Sequence, residues 1–187
     1  MSGHILPHRG LWPKIHPEAY IADTATVIGD VEVGPGSSIW FGCILRGDVN
    51  RIRIGAGTNL QDGTIVHGNH DRAGDYRETG GGMPTIIGDN VVVGHQAMLH
   101  ACTLQDGAFV GMAAGVMDQA VIEPQGMVAA GALVTPRKTV PAGQLWGGRP
   151  ARFMRDLTEA ERADIVYQAG NYRKLARTYL EERAARG

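Results

Sequence analysis

The chain has 187 residues, 43% of them hydrophobic, with 18 Lys and Arg against 19 Asp and Glu for a net charge of −1. That length fits one domain with a small appendage, and so even a charge balance lacks the basic excess or stripe expected of nucleic-acid binding. No run of apolar residues is long enough to span a membrane. The start, MSGHILPHRGLWPKIHP, has no apolar stretch of the secretory type, so the expected compartment is the cytoplasm. Cys43 and Cys102 form no CxxC pair and read as reduced, packed thiols.

Residues 1–20 carry Pro7, Pro13 and Pro17 and predict an irregular lead-in with at most an edge strand. From Ile21 an apolar residue recurs every six positions, at Val27, Val33, Ile39 and Leu45. The phase then slips by three, resuming at Ile54, Leu60 and Val66, and the slip falls on Arg46-Gly47-Asp48-Val49-Asn50. Residues 68–85, GNHDRAGDYRETGGGMPT, carry no anchors and predict a loop thrown out from the body, of a length more often functional than accidental. The period of six returns at Ile86 and runs through Val92, Met98, Leu104, Val110, Val116, Ile122, Val128, Val134 and Val140.

A helix repeats near 3.6 residues and a half-buried strand at two, so neither explains a strict six. A coil of short strands and corners does, with one inward anchor per side, and short repeats of this kind mark β-helices. The 27 glycines exceed the usual share of roughly 7% and, lacking a G-X-Y period, suit tight corners. The predicted fold is a mainly β, parallel β-helix over residues 1–150. The remainder, 151–187, is predicted to form a helix packed on the solenoid. Thr158 and Glu161 have the form of a capping box, and Ile165, Ala169, Tyr172, Ala176 and Tyr179 fall at helical spacing as a buried stripe. Gly170 and Asn171 are poor helix formers and mark a candidate bend.

Three histidines fall in the repeat region: His67, His95 and His100. Imidazole is a common metal ligand at neutral pH, and three with a water make a catalytic zinc site. On a straight strand, His95 and His100 would point to opposite faces, so one chain aims both at a single ion only if a corner intervenes. A symmetric oligomer removes the difficulty; surface or hydrogen-bonded histidines are the competing reading. A second constellation is Arg46, Asp48, Asn59, Gln61 and Asp62. Asn59 and Gln61 would share a face with Asp62 opposite, and Arg46 suits a carboxylate or bicarbonate-like anion. An intersubunit ion-pair network is the alternative.

The order RGD (46–48), N-x-QD (59–62), His67 and GH-x-A-x-x-H (94–100) resembles the γ-class carbonic anhydrases, over about Ile15 to Tyr179. The resemblance implies a left-handed parallel β-helix of hexapeptide repeats with a C-terminal α-helix, assembled as a homotrimer with zinc between subunits. His67 and His100 would be the ligand pair from one chain and His95 the ligand from its neighbour. Arg46, Asp48 and Asp62 resemble the family's interface network. Gln61 resembles the residue that hydrogen-bonds the metal-bound water, Asn59 a substrate-side polar group, and Tyr172 a tyrosine reaching toward the metal pocket. The most studied active branch has a glutamate where this chain has Val49 and a shuttle glutamate where it has His70. An imidazole titrates near neutrality, so His70 is the candidate proton shuttle. The implied activity is reversible hydration of carbon dioxide to bicarbonate, with Zn2+ as metal, although imidazoles also accept Fe2+ or Co2+. Weak or inactive metal-binding scaffolds, a metal-dependent thioester hydrolase and an acyl-CoA-dependent acyltransferase are the other readings. The last is suggested by GGRPARFMRDL at 147–157.

Overall fold

The computed structural model describes residues 3–186. They coil into a β-solenoid of short parallel strands, flanked by one long helix. Each full coil lays down three strands, one per face. Phe109 pairs with Met127, Gly115 with Leu133 and Thr103 with Val121, so a coil is eighteen residues long and the period of six is one face. One face holds Tyr20–Ile21, Ser38–Ile39, Asn59–Leu60, Val92–Val93, Phe109–Val110 and the strands below them. The next holds part of Ile44–Ile54, then Ile65–His67, Met98–His100, Gly115–Val116 and Leu133–Val134. The last holds Thr85–Ile87, Thr103–Leu104, Val121–Ile122 and Thr139–Val140.

The anchors fill the interior. Val27, Leu45, Leu60, Val66, Leu104, Val110, Val116, Ile122, Val128, Val134 and Val140 are fully buried. Three positions of the predicted series, Ile86, Val92 and Met98, are not the inward anchors. Met98 is 49% exposed and Ile86 half-buried, while Ile87, Val93 and Leu99 beside them are buried. The repeat therefore runs Ile87, Val93, Leu99 and then drops one residue to Leu104. Apolar residues stand on both faces of these strands, so a count of apolar positions passes over the dropped residue. The corner absorbs it at Ala101, which takes a left-handed φ of 49°.

The slip at 46–50 has a structural cause. Strands Thr26–Val33 and Ile44–Ile54 are continuous over a corner that other coils cross with a break, and their pairing shifts between Gly29 and Val31. A Cβ on Gly47 would lie 2.6 Å from the Asp30 carbonyl oxygen, so only glycine lets the two backbones round the corner together. The N-terminal stretch is more ordered than its prolines predict. His4–Leu6 and Lys14–Ile15 both pair in parallel with Thr26–Val33.

The thrown-out segment starts and ends where Asn69 and Met83 pair, and Thr85 already belongs to a strand. It contains a one-turn helix, α1 (Tyr76–Thr79), capped by Asp75. Buried Asn50 donates to the carbonyls of Asn69 and Gly81, pinning both ends of the loop to the slipped corner. At the other end of the chain, Gln144–Gly148 still pairs in parallel with the solenoid, and Ala151–Asp156 closes it antiparallel. The long helix α2 (Glu159–Arg186) starts at the expected capping box. Thr158 Oγ1 accepts from the Glu161 amide at 3.2 Å, and the Glu161 carboxylate accepts from the Thr158 amide at 2.9 Å. The helix runs through Gly170 and Asn171 without interruption and buries Ile165, Ala169 and Ala176. No helix is long and apolar enough to cross a membrane among the described residues.

Candidate metal centre

His67 ends one strand, and His100 ends the strand paired with it, the two residues being direct partners across the ladder. Arg46 is the partner of His67 on the other side. Their side chains leave the solenoid at one corner in a row. His67 Nε2 lies 2.9 Å from Asp48 Oδ1, and His100 Nδ1 lies 2.6 Å from Asp118 Oδ1. Each carboxylate has a second donor: Arg46 Nη1 reaches Asp48 at 2.7 Å and Asn69 Nδ2 reaches Asp118 at 2.7 Å. Burial works to raise both carboxyl pKa values. The hydrogen bonds from Arg46 and His67, and from His100 and Asn69, outweigh it and hold both below the usual range. Both groups are thus ionised acceptors, and His67 Nε2 and His100 Nδ1 carry the protons they accept. Burial, more than the opposing Asp48 bond, lowers the pKa of His67 and favours the neutral ring.

The remaining nitrogens, His67 Nδ1 and His100 Nε2, face each other at 3.4 Å. In neutral rings both are lone pairs, an arrangement that calls for a proton or a cation between them. Two nitrogens bound to one tetrahedral zinc at its ordinary bond length stand about 3.3 Å apart. The donor set, two imidazoles each backed by a carboxylate, is the pattern that orients histidine on a metal.

His95 is not part of this pair. It sits in the turn after Val92–Val93, at the opposite corner of the face that His67 and His100 close. There its Nδ1 contacts Asp62 Oδ2 at 2.8 Å, and among the described residues nothing bonds to its Nε2. Within one chain Asp62 therefore accompanies His95, while Arg46 and Asp48 stand with His67. Beside it Gln61 Nε2 donates to Asn59 Oδ1 at 3.1 Å, so the two amides share a face as expected; both are buried. Tyr172 on α2 stands edge-on to Trp40 at 5.5 Å. Burial, and then the charge of Asp62, raise its phenol pKa. Among the described residues no three His, Cys, Asp or Glu converge to hold an ion. One chain thus carries two polar clusters at two corners, one with His67 and His100 and the other with His95, Gln61 and Asn59.

His70 lines a cavity of about 430 Å³ whose walls come from the loop, the slipped corner and the N-terminal turn, including His8, Asp48, Val49, Tyr76 and Arg77. Asp118 and Asn69 were not among the sequence candidates. A signal for Asp118 existed: it follows His100 by eighteen residues, within one residue of the coil length there, which brings it to the same corner one coil below. Asn69 had none, because the loop breaks the repeat.

No family model matches the chain. It is 51% identical over 172 residues to the protein named γ carbonic anhydrase 1, mitochondrial, from Arabidopsis thaliana, covering 92% of the chain and 61% of the plant protein. The chain therefore spans about three fifths of that relative's length. It is 39% identical to protein YrdA of Escherichia coli over 97% of each. The crystal structure of a hexapeptide transferase family protein from Anaplasma phagocytophilum superposes with a TM-score of 0.85 at 45% identity, covering 94% of this chain and 98% of the other. The ordered motifs, the solenoid and these relatives agree: the chain belongs to the γ-carbonic anhydrase family of hexapeptide-repeat proteins.

Proposed function

We propose that the protein is a metal-dependent enzyme hydrating carbon dioxide reversibly to bicarbonate, at sites completed between copies of the chain in a homotrimer. The facing lone pairs of His67 and His100 carry this reading, because a shared cation resolves them. His95, with a free Nε2 at the opposite corner, is the third ligand when it comes from a neighbouring chain. The surface between the corners favours such a neighbour. Ile44, Ile65 and Met98 are successive partners across the ladder, point outward, and are 40%, 41% and 49% exposed. An apolar row of this kind beside a half-built site suits burial against a second copy.

When bound, Zn2+, or Fe2+ or Co2+ in its place, would supply a Lewis acid that makes water nucleophilic at neutral pH. The chain's own groups do the rest. Gln61, braced by Asn59, offers its carboxamide to orient the attacking water. Arg46 balances the charge of the bicarbonate product while holding Asp48 on His67. Tyr172, held on α2 edge-on to Trp40, offers its phenol hydroxyl as a donor on the substrate side. Hydration of carbon dioxide releases a proton, and Val49 offers no group to take it; His70, in the adjoining cavity, carries it outward. Val49 also favours one second reading, a metal-holding assembly subunit with little turnover.

The test is metal uptake and stopped-flow hydration in wild type, His95→Ala and His100→Ala. Each variant alone should lose metal and activity. Mixed as unfolded chains and refolded together, they should regain about a quarter of the sites, since every mixed trimer has one interface with all three ligands. Full zinc in His95→Ala, or no recovery on mixing, refutes the shared site. Full zinc without hydration in wild type supports the assembly subunit.

A further inference from the structure

Both ligand imidazoles of the half-site are backed by a carboxylate, but the two carboxylates are held differently. Asp48 is held by Arg46, its neighbour on the same strand. Asp118 lies one coil below His100 and is held by Asn69, at the root of the protruding loop. Both Asp118 oxygens are engaged, one by His100 and one by Asn69, so the plane of the carboxylate is set from two sides. Asn69 is fixed in turn. Its backbone pairs with Met83 through hydrogen bonds of 2.8 and 3.0 Å, and its carbonyl accepts from buried Asn50 at 3.1 Å. A continuous series of hydrogen bonds thus runs from the slipped corner through the loop root to His100.

We propose that Asp118 and Asn69 are a positioning pair. Asp118 holds His100 in the tautomer protonated at Nδ1, which turns the Nε2 lone pair toward His67. Asn69 holds Asp118 and so makes the closed loop root a condition of metal affinity. This rests on the metal reading above. The pair touches neither substrate nor the facing nitrogens; it acts through His100. A purely structural role for the pair would be to satisfy polar groups at a corner. That role requires neither a particular His100 tautomer nor any effect on metal binding.

Two readouts test it on the assembled full-length protein. The first is the His100 tautomer by ¹⁵N NMR in metal-free wild type and Asp118→Ala. The expected result is a proton on Nδ1 in wild type and a shift of population to Nε2 in the variant. The second is affinity for Zn2+ alone, measured against a competing chelator, in wild type, Asp118→Ala, Asp118→Asn and Asn69→Ala. Loss of an outer partner of a ligating histidine typically weakens metal binding about 10–100-fold. Asp118→Ala should fall in that range, Asn69→Ala should lose less in the same direction, and Asp118→Asn, whose amide oxygen still accepts from Nδ1, should lie between wild type and Asp118→Ala. Melting curves and oligomeric state of the metal-free variants identify misfolding, and Asn69→Ala, which leaves the carboxylate in place, is the milder probe. Wild-type affinity in the variants, or an unchanged tautomer in Asp118→Ala, overturns the positioning role and leaves the metal reading standing. A wild-type protein that takes up no zinc overturns both.

Discussion

Adjacent residues Leu99 and Met98 should respond oppositely to truncation, and the pair tests both the register of the coil and the outward face. Leu99 is fully buried among the anchors, whereas Met98 is 49% exposed and projects from the ladder that holds His67 and His100. Leu99→Ala removes buried methyl groups and leaves a cavity that the neighbouring coils cannot close, because each anchor is set by its own ladder. The cost is about 2–5 kcal/mol. For a chain of this size 1 kcal/mol moves the melting point roughly 2–4 °C, so a loss of about 3 kcal/mol lowers it by about 6–12 °C. Met98→Ala removes no core contact. Its effect should fall on association, giving a melting point that drops more on dilution than the wild type's, by mass action. The assay is thermal unfolding by circular dichroism over a hundredfold range of protein concentration, with sedimentation of both variants. A Leu99→Ala loss under about 1 kcal/mol would refute the corrected register. A core-sized, concentration-independent loss in Met98→Ala would refute the outward face.

Two further outcomes follow from the corners and the loop. Asp30 binds Arg53 at 2.8 Å and accepts from the Tyr76 hydroxyl at 2.6 Å, tying α1 to the solenoid. Burial works to raise its pKa, but the bonds from Arg53 and Tyr76 prevail and lower it below 3.8. A lowered carboxyl pKa stabilises the fold at pH above the unfolded value and loses that contribution as pH falls through the folded one. The melting-point gap between wild type and Asp30→Asn should therefore be constant above about pH 5 and shrink toward zero in acid; a gap that widens in acid would refute the sign. Gly57 has φ 65°, and a Cβ there would overlap the Arg173 guanidinium of α2; Gly131 has φ 69° and open space. Alanine at Gly131 should cost about 1–2 kcal/mol of left-handed strain, and alanine at Gly57 clearly more by urea unfolding. Equal losses would mean that Arg173 moves aside freely.

Much of the site was legible as a set of residue types, but little of it as an arrangement. Strands of two or three residues cannot be read singly, yet a period of six sums over many coils. It identified the solenoid although Ile86, Val92 and Met98 were wrongly taken for anchors. A one-residue deletion costs the fold only a corner, so the apolar pattern continued through it in the wrong phase.

The sequence by itself determined the coil, the capped helix α2 and the motif residues, because each depends on local spacing: six residues per face, three from Thr158 to Glu161. Only the tertiary structure decided which of those residues meet. His67 and His100 become neighbours because the loop between them is pinned at its root and adds nothing to the stacking of coils. His95, closer to His100 in sequence, ends at the opposite corner because a solenoid turns its chain by a full face within six residues. Asp118 entered the site because contacts in a solenoid run down the stack, about one coil away in sequence and one strand spacing away in space, whereas Asn69 entered it only because the loop root folds back over that corner.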